Sequence, residues 1–185
     1  IMHNLMGSNA ERMPNGIKGL MLSCILSDTL EFRSPTTTEQ DKKLAEDLAA
    51  QLEVSIPDYA AEMFAAKSDV SNFSEAELLR MDSKEYAVDG TKFRVSVLET
   101  TSPAAILDRK DALLTAMPTV AQDDGVDQVL LFVVDILNEE ATLLVPNELV
   151  KSVAEKSFGM TAMGDTVVLP GVMSRKKQII PALKV

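Results

Sequence analysis

Residues 129–134, VLLFVV, are apolar without interruption and rich in β-branched side chains. So short a run does not make an ordinary helix, and a strand that is apolar on both faces is stable only when both are covered. This run therefore predicts a central strand and obliges the neighbouring sequence to supply two covering layers. The signals around it fit an α/β chain with a mixed β-sheet flanked by helices. Residues 142–145 read as the strand beside it. Residues 85–88, the turn pair Asp89 and Gly90, and the alternating Phe93, Val95 and Val97 read as a β-hairpin. Ser74 and Glu77 form a capping box ahead of Ala76, Leu78, Leu79 and Met81. Ser102 and Pro103 are expected to open one long amphipathic helix through Ile106, Leu107, Leu113 and Leu114 towards Val120. Asn147 caps a further helix through Val150, Val153 and Phe158, and short strands are expected near 167–169 and 178–180.

The first third is mainly helical in pattern. Ile1, Met2, Leu5 and Met6 have helical spacing without a preceding cap, as expected of a chain that begins inside an element of a larger protein. Pro14 opens the next element, whose apolar run over 17–26 predicts a buried helix, or one running straight into a buried strand, with Cys24 as a small core residue. Thr38 followed by Asp41 is an acidic capping pattern for a helix over 39–52. Ser55, Pro57 and Asp58 open another that ends near Lys67. The polar residues that follow suggest a linker, dividing the chain into 1–67, 68–73 and 74–185.

The net charge of -10 argues against nucleic acid as a partner, and no run approaches the roughly 18 apolar residues of a membrane span. The single cysteine cannot pair within the chain, which fits a reducing cytoplasm. Charge is nevertheless uneven. Residues 166–185 contain no Asp or Glu but hold Arg175, Lys176, Lys177 and Lys184. Such a tail either balances charge or forms a local anion site. Within it, SRKKQ followed by IIP sets three cations beside apolar residues, and an extended chain would place Arg175 and Lys177 on one face with Lys176 on the other. Arginine offers a planar fork that matches two phosphate oxygens, whereas lysine supplies a compact charge. As bare chemistry, a Lys-rich pentamer has low specificity.

SRKKQIIP resembles the C-terminal signature of the family II, DHH-type, inorganic pyrophosphatases. GLMLSCILSDTLEFRSPT, over 19–36, resembles that family's metal-bearing strand and the loop after it. The segment from Met81 to Tyr86 is similar to the family's stretch with a substrate-binding lysine. The three occur in the family's order, and the likeness covers essentially the whole chain. The resemblance implies hydrolysis of inorganic pyrophosphate, with Mn2+ or Co2+ as the resident metals and Mg2+ accompanying the substrate. It makes Asp28 the carboxylate that bridges two metal ions, and Arg175, Lys176 and Lys84 the residues that bind and act on pyrophosphate. Residues 1–67 would be the remnant of a DHH catalytic domain, and 74–185 a DHH-associated substrate-binding domain. The missing N-terminal DHH domain and a second copy, as a homodimer, would be partners in the intact enzyme.

Taken alone, Asp28 between Ser27 and Thr29 reads as a cap or turn residue, and Lys84 beside Asp82 and Glu85 as a surface ion pair. His3 reads as a surface residue, and Asp135 as a structural hydrogen-bonding group. The family's Asp-His-His triplet and its other histidine ligands do not occur in this sequence, so the chain by itself is expected to be inactive. An exopolyphosphatase or another DHH phosphoesterase remains an alternative, as does a non-catalytic module that docks an anion.

Overall fold

The computed structural model describes residues 5–185, so His3 and the start of the predicted N-terminal helix lie outside the described residues. The chain divides into two compact units, one ending at Met63 and one spanning Phe64–Val185.

In the first unit a 3-10 turn, Gly7–Arg12, leads to α1 (Asn15–Thr29), α2 (Glu39–Leu52) and the opening turns of α3 (Ile56–Lys67). Thr38 and Asp41 form the predicted reciprocal cap of α2. Leu22, Leu26, Leu30, Ala45, Leu48, Ala49 and Ala60 are buried. The Ser23 hydroxyl lies 2.7 Å from that of Tyr59, linking α1 to α3. The expectation of a fully buried α1 is not met, and neither is that of a strand at Asp28. The segment is helical to Thr29, Ile17 and Leu20 are 47% and 64% exposed, and Cys24 is exposed rather than in the core. A helix turns about 100° per residue, so an unbroken apolar run points all round, and only the side bearing Leu22, Leu26 and Thr29 is covered within this unit.

The second unit holds a five-stranded sheet in sequence order: β1 (Ser83–Val88), β2 (Thr91–Thr100), β3 (Gln128–Asp135), β4 (Glu140–Leu144) and β5 (Thr166–Pro170). Only β2 and β3 run parallel; the other neighbours are antiparallel. Asp89 and Gly90 both have positive φ, 49° and 83°, the left-handed turn that a two-residue hairpin demands. As predicted, β3 is central and buried along nearly its whole length. One of its faces contributes Val129, Leu131 and Val133 to a core with Leu78 and Leu79 of α4 (Glu75–Arg80) and with Leu113, Met117 and Val120 of α6 (Lys110–Asp124). The opposite face carries Phe132, whose ring meets Phe158 of α7 (Glu148–Phe158) edge-on at 6.1 Å.

Two predicted elements differ. The single helix expected over 102–120 is broken into α5 (Ala104–Leu107) and α6, because Arg109 leaves helical geometry at φ -96° and ψ 9°. Its guanidinium donates to the carbonyls of Val70 and Phe73 and to Glu75, and these contacts outweigh helical continuity. They also secure part of the 68–73 stretch, where the Ser68 hydroxyl accepts from the Thr101 amide at 3.0 Å. The strand expected near 178–180 is instead a π-turn, Arg175–Ile179, running into the short α8 (Ile180–Ala182). The amides of Gln178 and Ile179 both donate to the Ser174 carbonyl, and this winding removes the predicted two-sided arrangement of Arg175, Lys176 and Lys177.

Asp124 ties three elements together. Arg80 Nε of α4 donates to both its oxygens at 3.0 and 3.1 Å. Arg94 Nε of β2 lies 2.6 Å from Oδ2 but off the hydrogen-bond direction, so that contact is an ion pair rather than an aligned hydrogen bond. Burial pushes the Asp124 carboxyl up, but the Arg80 hydrogen bonds and the charges of Arg94 and Arg80 prevail and hold it below its usual value. The ionised carboxylate therefore stabilises the fold above the unfolded pKa near 3.8, and this contribution is lost as pH falls through the lower folded value. Urea unfolding across that window is expected to show a shallower acid-side loss of stability for Asp124→Asn than for the natural chain. An identical acid slope would remove Asp124 from this role.

Candidate functional site

The C-terminal signature is shaped by its glutamine. Gln178 Oε1 accepts from the amides of Met173 and Ser174 at 2.9 and 2.8 Å, while Nε2 donates to the Gly171 carbonyl at 2.6 Å. Ser174 Oγ accepts from the Lys177 amide at 3.3 Å, and Ile179 and Met173 are buried beneath the turn. Gly171, at φ 73°, reverses the chain after β5. The segment is thus a clasped turn whose first residue, Arg175, is held from both ends.

Arg175 does not point into open solvent. Nη1 donates to the Asp82 carbonyl and Nη2 to Asp82 Oδ1 at 2.8 Å, leaving the arginine side chain 15% exposed. Asp82 sits between α4 and β1, two residues before Lys84. The structure therefore joins two of the predicted segments across 93 residues of sequence. Lys84 and Lys176 are exposed, and neither makes an ion pair among the described residues. The surface ion pair read for Lys84 is absent: Asp82 is taken by Arg175, and Glu85 by Arg94 at 2.7 Å. An exposed lysine two residues after Asp82, another next to Arg175 and a guanidinium with N–H donors to spare are groups suited to an anion with several oxygens.

Asp28 belongs to the first unit, in the last turn of α1, with an exposed side chain. The three residues after Thr29, namely Leu30, Glu31 and Phe32, all have positive φ, at 50°, 52° and 70°. Left-handed non-glycine residues cost roughly 1 kcal/mol or more each, so this loop is held against strain. The holding contacts include Glu31 N to the Leu26 carbonyl, Ser34 N to the Thr29 carbonyl, and Phe32 N to Thr29 Oγ1. Among the described residues no group of three or more His, Cys, Asp or Glu side chains could hold a metal ion. One carboxylate does not make a two-metal centre, since such ions require several ligands each. Asp135 has the structural role expected of it, accepting from the amides of Leu137 and Asn138 and from the Asn138 side chain.

The contacts of Asp82 and Gln178 in the second unit and the left-handed loop of the first unit were not expected from the sequence. Gln178 carried a signal in its place inside the signature. Asp82 carried none beyond lying near Lys84, and Leu, Glu and Phe are residue types that do not announce positive φ.

The model of the DHHA2 domain matches residues 61–185. The chain belongs to the DHHA2 domain family. Beyond that domain, a probable manganese-dependent inorganic pyrophosphatase of Lactobacillus helveticus is 39% identical over 99% of the chain and 59% of its own length. A Deinococcus radiodurans protein of the same description is 45% identical over 89% of the chain and 54% of its length. A crystal structure from Methanococcus jannaschii, described as a family II inorganic pyrophosphatase, superposes with a TM-score of 0.81 at 32% identity, covering 97% of this chain and 58% of that one. The chain thus spans a little over half the length of the relatives it matches, and its DHHA2 domain contains both the segment with Lys84 and the C-terminal basic run.

Replacing Gln178 by Leu leaves two amides and a carbonyl of this domain without their side-chain partner. The expected cost is about 1–3 kcal/mol of folding stability, read by chemical denaturation. An unchanged midpoint would mean that water replaces the clasp.

Proposed function

We propose that this chain is the substrate-gripping part of a manganese-dependent inorganic pyrophosphatase, in which Arg175, Lys176 and Lys84 hold the oxygens of pyrophosphate. The observation that carries the reading is the tie from Arg175 to Asp82, two residues before Lys84. It brings the C-terminal basic run to the segment that carries Lys84, which charge balance alone would not require. Hydrolysis forms a bond from a water oxygen to one phosphorus and breaks the bond from that phosphorus to the bridging oxygen, which leaves with the second phosphate. Negative charge grows on the bridging oxygen as that bond lengthens. The arginine fork, held in advance by Asp82, and the two lysine ammonium groups stabilise that charge and hold the diphosphate for in-line attack.

In this reading residues 1–67 are the end of a DHH catalytic domain, 68–73 a connection, and 74–185 the substrate-binding domain. Asp28 would be the carboxylate that this chain contributes to Mn2+ or Co2+, and the remaining ligands would belong to the DHH domain; the metals would supply an activated water at neutral pH. Mg2+ accompanies the substrate. The intact enzyme works as a homodimer in the cytoplasm, in keeping with the lone cysteine; no helix among the described residues is long and apolar enough to cross a membrane. The signature favours compact pyrophosphate over a long polyphosphate, which a side-by-side assay of the two substrates separates.

In the intact enzyme Arg175→Ala is expected to lower turnover roughly 100- to 1000-fold. An unchanged rate would take Arg175 out of the reaction. The 185-residue chain alone is expected to release no phosphate from pyrophosphate with manganese, and robust release would overturn the division of labour between its domains.

A further inference from the structure

The contact between Asp82 and Arg175 presents a chemical puzzle. A carboxylate next to an anion-binding guanidinium repels the anion, and a surface ion pair of this kind contributes only about 0–1 kcal/mol to stability. Asp82 also stands at φ 37°, a left-handed conformation unfavourable to a residue with a Cβ, so the position carries a conformational cost as well. Two unfavourable features at one residue call for a compensating role.

The geometry points to Asp82 as the positioning residue for Arg175. It grips the guanidinium at two places. The main-chain carbonyl accepts from Nη1 and the carboxylate accepts from Nη2 at 2.8 Å, so both the position and the plane of the fork are fixed. The carbonyl is itself anchored, since it also accepts from the Val97 amide of β2 at 3.3 Å and so belongs to the sheet's framework. Five N–H donors sit on a guanidinium, and this grip uses one on each terminal nitrogen. Nε and the second hydrogen of each terminal nitrogen remain for phosphate oxygens. Arg175 is therefore oriented without being saturated, and the flexible side chain loses its rotamer freedom before substrate arrives rather than during binding. The carboxylate accepts some electrostatic penalty toward the anion in return for a fork set in advance beside Lys84.

This inference rests on the pyrophosphatase reading for its consequence, but not for the grip itself, and the two can fail separately. The decisive variants are Asp82→Gly, which suits φ 37° and keeps the carbonyl while deleting the carboxylate, and Asp82→Asn, which keeps an acceptor oxygen without the charge. In the 185-residue chain, nitrogen-detected NMR at low temperature should give Arg175 two separate Nη resonances, the signature of a guanidinium that rotates slowly. Asp82→Gly should merge them and Asp82→Asn should keep them apart. In the intact manganese enzyme, Asp82→Gly is expected to lower kcat/KM for pyrophosphate roughly 10- to 100-fold, with Asp82→Asn within about threefold of the natural protein. Added to Arg175→Ala, Asp82→Gly should cost nothing more. Separate Nη resonances that survive in Asp82→Gly would overturn the positioning role. So would an equal loss from Asp82→Gly in the presence and absence of Arg175, since the residue would then act on structure alone. An Arg175→Ala enzyme of full activity would instead strike at the proposed function, while the NMR result would still decide the grip.

Discussion

The second unit depends on covering both faces of β3. Its side chains from Val129 to Val134 are all buried, so helices must lie above and below it, and α4 with α6 on one side and α7 on the other meet that need. Burying an aliphatic or aromatic side chain stabilises by about 1.5–3 kcal/mol, so one such strand outweighs many surface contacts. The order of the sheet follows from what adjoins it. A parallel neighbour, β2, needs a crossover, which α5 and α6 provide; the antiparallel pairs β1–β2 and β3–β4 are joined by short turns, and β4 is joined to β5 by a segment that contains α7.

The edge position of β1 leaves the start of that strand open to a distant segment. Because β1 pairs on one side only with β2, the chain entering it at Asp82 is accessible to the C-terminal segment. That segment leaves β5, turns at Gly171 and is clasped by Gln178 into a shape that presents Arg175. The sheet thus carries one partner of the Arg175–Asp82 contact and a hydrogen-bonded turn carries the other. Preorganised donors are worth more than mobile ones, because little reorganisation remains when charge develops.

Much of the fold was legible in sequence because its signals are local. The capping boxes at Thr38 and Ser74, the cap at Asn147 and the Asp89 and Gly90 turn each depend on residues within a few positions of one another. The misreadings share a cause. Arg109 breaks a helix to reach carbonyls more than thirty residues away, and Cys24 faces outward because a periodic apolar run does not reveal which side has a neighbour. At residues 178–180 the apolar character was read as a strand, whereas the side chain of Gln178 and the Ser174 carbonyl wind the chain instead.

Residue order alone was enough to set a doubly buried strand at the centre of a mixed sheet and to show that cations gather in one C-terminal run. Periodicity, capping and charge are properties of residue order, so they can be read from order alone. Only the tertiary structure decided that Arg175 would meet Asp82, that Lys84 would be left without an acidic partner, and that the signature would be a turn. Those outcomes rest on hydrogen bonds between residues as much as 93 positions apart, and nothing in local sequence specifies which distant carbonyl or carboxylate a donor will find.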